Sequence, residues 1–223
     1  MNKLILTAAL CMAASAWPAA GSADAPSRWS TRLGLAYASF DTSSELSLAG
    51  VPAPGAAATV DDQGIFMGDV GFDITDRWTA RAAIGAPVAL PVLAGGTLQG
   101  LSPPLTGTLG EIEIAPIVIS LLYAPRQFGG FKPYLGAGAA YTYILDTKAG
   151  DVAQLEASSG WGAVLQAGCN FAITPQLSAF ADARKIYFAT TASGVVPALG
   201  GVPVEAAVTL DPLLFNVGVG YRF

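Results

Sequence analysis

The chain has 223 residues, 52% of them hydrophobic and only 12% charged, with 26 glycines and a formal charge of −5. About a quarter of the residues of a water-soluble domain are charged. Half that charge at this apolar fraction points to a membrane, and the acidic balance excludes the basic surface that nucleic-acid binding requires.

Past the first 20 residues, no run of roughly 20 apolar residues is free of Gly or Pro, so spanning helices are excluded. A closed β-barrel is the other way to cross a bilayer with every backbone group paired. Residues 1–25 read as a secretory signal peptide. Lys3 supplies the positive start, Leu4 to Trp17 form an uncharged apolar stretch that Pro18 ends, and cleavage after Ala23 or after Ala25 fits equally. Cys11 follows Leu10, which is too large for a lipoprotein signal. Residues 26–223 are then one barrel domain with a single cysteine, Cys169, and no possible internal disulfide.

Strict period-2 alternation predicts eight antiparallel strands. In the first, Trp29, Thr31, Leu33, Leu35 and Tyr37 oppose Ser30, Arg32, Gly34, Ala36 and Ala38. Around 63–74, Phe66, Val70 and Phe72 oppose Met67, Asp69 and Asp73. Around 77–86, Trp78, Ala80, Ala82 and Ile84 oppose Arg77, Thr79, Arg81 and Ala83. Around 112–124, Ile117, Ile119, Leu121 and Tyr123 oppose Val118, Ser120 and Leu122. The next three lie around 132–145, 160–173 and 176–188. They place Gln166, Asn170, Asp182 and Arg184 on the polar or small face. The last strand sets Phe215, Val217, Val219, Tyr221 and Phe223 against Asn216, Gly218, Gly220 and Arg222.

Long connections, about 41–62, 87–110, 146–159 and 189–209, alternate with short ones at 74–77, 125–131 and 173–176. Long loops on one side and tight turns on the other are the pattern of bacterial outer-membrane barrels. Alternation alone also fits a soluble barrel with its apolar face inward. The aromatic residues decide: they fall at the two ends of the apolar faces, with aliphatic residues between, as two bilayer interfaces require. The apolar face therefore meets lipid. Arg32, Asp69, Asp73, Arg81, Gln166, Asn170, Asp182, Arg184 and Asn216 line the interior, either as a satisfied network that fills the barrel or as a polar floor beneath an open chamber.

The chain contains no histidine. That removes Ser-His-Asp chemistry and His-ligated metal sites, and no hydrolase motif or phosphate-cradling loop is present. No catalytic, metal or cofactor residue is assigned. A lipid enzyme is the remotest of three readings.

Four stretches carry a family likeness: Ile114-Ala115-Pro116 through Tyr123, Lys132 through Gly138, Trp161-Gly162 through Gly168, and Leu210-Asp211-Pro212 through Phe223, with Asp182-Ala183-Arg184 as a looser match. In order and spacing they resemble the OmpW family of outer-membrane proteins and its AlkL-like hydrocarbon-uptake branch. The resemblance implies an eight-stranded barrel in the outer membrane of a Gram-negative bacterium. It also implies passive movement of small apolar molecules across the lipopolysaccharide layer, with release sideways into the membrane. The terminal Phe223 looks like the recognition signal of the barrel-assembly machinery.

Three charge-free apolar runs, Leu46 to Val60, Ala82 to Gly110 and Ile186 to Val204, lie where polar extracellular loops are expected. Pro87, Pro91, Pro103 and Pro104 forbid a helix through the second. Such loops extend the barrel around an apolar vestibule that includes Leu90, Val92 and Leu98, or pack on one another and on lipopolysaccharide chains. Pro116 lacks an N–H and weakens a ladder. With Gly85 and Pro87 nearby it marks a sideways exit between the third and fourth strands, or an ordinary bulge. The competing function is a filled, non-conducting barrel that presents its loops to other surfaces. Acidic Asp61, Asp62, Glu111, Glu113, Asp151 and Glu156 are taken as solvated.

Overall fold

A computed structural model describes residues 27–100, 105 and 107–223. The export segment 1–25 and the prolines Pro103 and Pro104 lie outside the described residues. In chain order the strands are β1 (Trp29–Ser39), β2 (Ser43–Leu48), β3 (Val51–Pro52), β4 (Ala56–Val60), β5 (Gln63–Asp73), β6 (Trp78–Gly85), β7 (Val88–Gly96) and β8 (Thr108–Tyr123). They continue with β9 (Phe131–Ala149), β10 (Ala153–Ala157), β11 (Gly160–Ala172), β12 (Leu177–Tyr187), β13 (Ala189–Val196), β14 (Val202–Thr209) and β15 (Leu213–Arg222).

Eight of these close a barrel in the order β1-β5-β6-β8-β9-β11-β12-β15, all antiparallel. Closure runs from Ser30↔Arg222 to Ser39↔Leu213 between β1 and β15, so the first and last strands seal each other without an exposed edge. The eight alternating stretches of the sequence are these eight strands.

The faces are inverted relative to a soluble barrel. On β1, Leu33, Leu35 and Tyr37 are 52%, 64% and 54% exposed, while Arg32, between Thr31 and Leu33, is only 4% exposed. Greasy side chains outside and a buried guanidinium inside make sense only where the solvent is hydrocarbon. Aromatic pairs sit at both ends of the wall. Near the short turns, Trp29 stacks on Phe72 with centroids 4.9 Å apart, and Trp78 on Tyr123 at 4.8 Å. Near the other end, Tyr141 meets Trp161 at 4.9 Å. Such amphipathic rings settle at the headgroup level.

The long connections differ from the expectation of loops. Seven further strands run through them: β2, β14, β13, β10 and β3 form a second sheet, and β4 and β7 build onto the upper part of β8. The reason is backbone satisfaction. Apolar side chains turned inward exclude water, so the chain must pair its own N–H and C=O groups laterally. A second tier thus stands on the extracellular side of the barrel. Its core joins Leu46, Leu98, Leu105, Leu109, Val196 and Val204. Below it an apolar plug of Met67, Val118, Val164, Ile186, Phe188 and Leu214 fills the upper barrel.

Candidate functional site

The inner wall of the second tier encloses an apolar cavity of about 90 Å³. Leu90 and Leu98, each 2% exposed, face into it from β7 and the short 3-10 turn after it. Val92 lines it as well, so the structure brings together all three vestibule residues expected from sequence. Leu46 from β2, Ile112 from β8 and Ile144 from β9 complete much of the wall. Among the described residues, the polar ones in the lining are Thr142, Thr190 and Ser193. The sequence reading did not single out the contributions of β8, β9, β10, β13 and β14 to this wall, because they come from segments read either as membrane-spanning strand or as loop. Inward parity continued past residues 112 and 144 would have found Ile112 and Ile144.

Under the plug lies a charged floor. Asp69 is ion-paired with Arg81 and with Arg184, whose Nη2 lies at 3.3 Å. Asp182 pairs with Arg184 Nε at 3.2 Å and, at 3.8 Å, with Arg32. It also accepts hydrogen bonds from Tyr134 Oη at 2.9 Å and Gln166 Nε2 at 3.1 Å, and Ser120 Oγ donates to Gln166 at 3.2 Å. Arg32 donates to Tyr134 Oη and to Asn170 Oδ1, and its guanidinium lies 4.8 Å over the Phe180 ring. At the periplasmic rim, half-buried Asp73 accepts from Thr79 Oγ1 and Arg222 Nη2.

Of the nine interior residues expected from sequence, seven join this chain of contacts, Asp73 is held apart from it by Thr79 and Arg222, and Asn216 joins neither. Its amide is 1% exposed, and neither its Oδ1 nor its Nδ2 has a partner among the described residues. The expected satisfied network is therefore incomplete at Asn216. This side chain sits beside Gly34, whose missing Cβ leaves it room but no donor or acceptor. Tyr134, Ser120 and Phe180 were not named among the floor residues, although each shares the inward parity of its strand.

At the level of the cavity the wall is interrupted where β6 hands over to β7 along β8. β6 pairs with β8 up to Ile84↔Ile117, and β7 resumes at Val88↔Ile114. Residues 85–87 thus face only 115–116, the count of a β-bulge. Gly85 lies against the Pro116 ring, where an added Cβ would fall 2.7 Å from Cγ. Pro87 is exposed, and Ile114, Ala115 and Pro116 are consecutively buried, which breaks the alternation. On its other side β8 stays paired with β9 from Ile114↔Ile144 through Pro116↔Thr142, with a one-residue register shift between Glu113 and Ile114. Ile114 and Thr142 both line the cavity.

Outside, the extracellular rim is acidic. Glu111, expected to be solvated, pairs with Lys148, which holds the Lys148 ammonium above its ordinary pKa. Asp62 accepts from Tyr37 Oη at 2.8 Å and from the Phe40 N–H at 3.2 Å. These two bonds, the tyrosine's first, hold its carboxyl below the ordinary carboxylate pKa.

Comparison with known proteins agrees with this architecture. The chain is 33% identical over 213 residues to the dibenzothiophene metabolism operon protein PahQ of Pseudomonas aeruginosa, covering 96% of this chain and 94% of that protein. It is 22% identical over 179 residues to the outer membrane protein AlkL of Ectopseudomonas oleovorans, covering 80% of this chain and 74% of AlkL. The crystal structure of the outer membrane protein OprG from Pseudomonas aeruginosa superposes with a TM-score of 0.80 at 25% identity, covering 89% of this chain and 97% of OprG. The solid-state NMR structure of AlkL in lipid bilayers gives 0.70 at 21% identity, with 93% and 95% covered. Residues 74–223 match the model of the OmpW family, and the chain is an outer-membrane β-barrel that belongs to that family.

Proposed function

We propose that this barrel gives small hydrophobic molecules a passive way in from the cell surface. The second tier receives them, and the interruption at Gly85, Pro87 and Pro116 releases them sideways into the membrane. The single observation that carries this reading is the cavity itself: a pocket walled by aliphatic side chains, with no charged residue, on the extracellular side of a charged floor. Burial there gains about 25 cal/mol per Å² of apolar solute surface and needs no hydrogen-bonding site. A solute carrying a charge or an unpaired polar group has nothing to exchange for its lost water.

The floor and the plug speak for the direction of release. An apolar solute moving straight down would have to displace Met67, Phe188 and Leu214 and then cross five buried charges. Leaving through the wall, where Ile114 and Thr142 border both the cavity and the ladder break, avoids both. The relatives PahQ and DoxH are named for dibenzothiophene metabolism, which suits a fused-ring aromatic solute. Export through the segment 1–25 and recognition of Phe223 by the barrel-assembly machinery belong to the same proposal.

The filled lumen also supports the competing reading, a closed barrel that only presents its outer tier. Reconstitution separates the two. Vesicles holding the refolded chain should take up a fused-ring hydrocarbon faster than protein-free vesicles, with no acceleration for a polar solute of the same size. Equal hydrocarbon rates with and without the protein overturn the transport reading.

A further inference from the structure

The periplasmic end of the barrel holds a second cavity, of about 300 Å³, whose character is opposite to that of the first. Arg32, Arg81, Lys132 and Arg222 all line it, and Asp73 is its only carboxylate. Asp73 is already paired with Arg222. Behind the wall, three buried arginines, Arg32, Arg81 and Arg184, face two buried aspartates, Asp69 and Asp182. The buried cations therefore exceed the buried carboxylates by one, and a buried uncompensated charge is costly.

The geometry identifies the surplus cation as Arg32. Its distance to Asp182 is 3.8 Å, and its hydrogen bonds go to neutral oxygens, Tyr134 Oη and Asn170 Oδ1. Lys132 stands directly across the ladder from Asn170 and has no ion pair among the described residues. Arg81, 5% exposed, turns an unpartnered Nε–H in the same region. Two uncompensated positive charges thus border one small polar chamber, in a chain whose formal charge is −5.

We propose that this chamber binds a phosphate-type oxyanion between Arg32 and Lys132, with Arg81 and the Asn170 amide beside it. The charge excess of two matches a phosphate dianion better than a halide or a monocarboxylate. Guanidinium groups bond oxyanions through charge-assisted hydrogen bonds. The ligand is free phosphate or the phosphomonoester of a phosphatidic-acid headgroup in the periplasmic leaflet. Nothing in the hydrophobic route above is needed for this site, which lies on the other side of the floor.

The test uses the full mature chain refolded in nonionic micelles at low ionic strength, with inorganic phosphate titrated by calorimetry. Saturable binding is expected, weakened about tenfold in Lys132→Gln and restored in Lys132→Arg. Lys148→Gln, on the extracellular rim, should bind as the parent does. Heat-modifiable gel mobility verifies that each variant is a closed barrel. A weaker apparent affinity in nanodiscs containing phosphatidic acid than in phosphatidylglycerol nanodiscs of matched surface charge assigns the site to a headgroup, and equal affinity assigns it to a soluble anion. Absence of saturable binding in the parent, or equal binding by parent and Lys132→Gln, overturns the proposal.

Discussion

Replacing Asp69 by asparagine asks at once what holds the barrel together and which way the solute leaves. Asp69 is 5% exposed and is the sole carboxylate partner of Arg81, while Arg184 also has Asp182 at 3.2 Å. Its loss therefore orphans one buried cation rather than two. Removing one partner of a buried pair costs about 3–5 kcal/mol. Asparagine keeps an oxygen that accepts a hydrogen bond, though a neutral acceptor gives roughly half the strength of an ionised one. Asp69→Asn should accordingly fall near 3 kcal/mol and Asp69→Leu near 5 kcal/mol, both order-of-magnitude values from that range. Urea unfolding of the refolded barrel in vesicles, followed by tryptophan fluorescence, measures the loss. Hydrocarbon uptake by the same variants should stay within about twofold of the parent, because the proposed exit lies above the floor. A stability loss under about 1 kcal/mol refutes the structural role of the network, since ordinary surface changes already reach half that. A tenfold fall in uptake by a folded variant refutes the sideways route.

Three further outcomes follow from the same geometry. Leu90→Asp places a carboxylate in the aliphatic wall and should slow hydrocarbon uptake at least tenfold, while heat-modifiable mobility shows an intact barrel; uptake at the parent rate removes the vestibule. Gly85→Val sets a branched side chain against the Pro116 ring, where even a Cβ would lie 2.7 Å from Cγ, and should change release into the membrane more than entry, as read by transfer of a fluorescent hydrocarbon to the vesicle wall. Tyr37→Phe deletes the largest of the hydrogen bonds that lower the Asp62 pKa, ahead of those from the Phe40 N–H and Ser39, so that pKa should rise towards its ordinary value in a carbon-13 NMR titration. Because the folded-state value lies below the ordinary one, the strap between β1 and the segment before β5 is present above the ordinary carboxylate range and is lost as pH falls through the folded-state pKa.

The barrel wall was legible because its signal is local. Each strand alternates between hydrocarbon and lumen, so Leu33, Leu35 and Tyr37 declare one face and Arg32 the other without knowledge of any partner strand. The second tier was legible only in its composition. Charge-free runs told of an apolar interior, yet β4, β7, β13 and β14 are built largely of alanine, glycine, threonine, proline and valine on both faces, so period 2 is blurred, and β2 alternates over only six residues. Their strand character comes from lateral pairing, which is a property of the assembled tier. The floor shows the limit in another way. Parity places Asp182 and Arg184 inside, but it cannot say that Tyr134 bridges Arg32 to Asp182, because that depends on distances across the lumen between residues 102 and 48 positions apart.

A pocket without hydrogen-bonding groups has a consequence for selectivity. One methylene more or less in an apolar site changes affinity by only about 1–3 kcal/mol, whereas a site built to bond a hydroxyl rejects the analogue lacking it far more strongly. The wall formed by Leu46, Leu90, Val92, Leu98, Ile112 and Ile144 can therefore sort solutes by size and by the absence of charge, but not by identity. Discrimination among hydrocarbons would need a polar group presented by that wall, and among the described residues Thr142, Thr190 and Ser193 are the polar positions in the lining. Thr142 faces Pro116 across the ladder at the proposed exit, and Thr190 and Ser193 stand on β13 in the second tier, but none of the three turns its hydroxyl into the cavity, so apolar solutes should be sorted by size alone at entrance and exit alike.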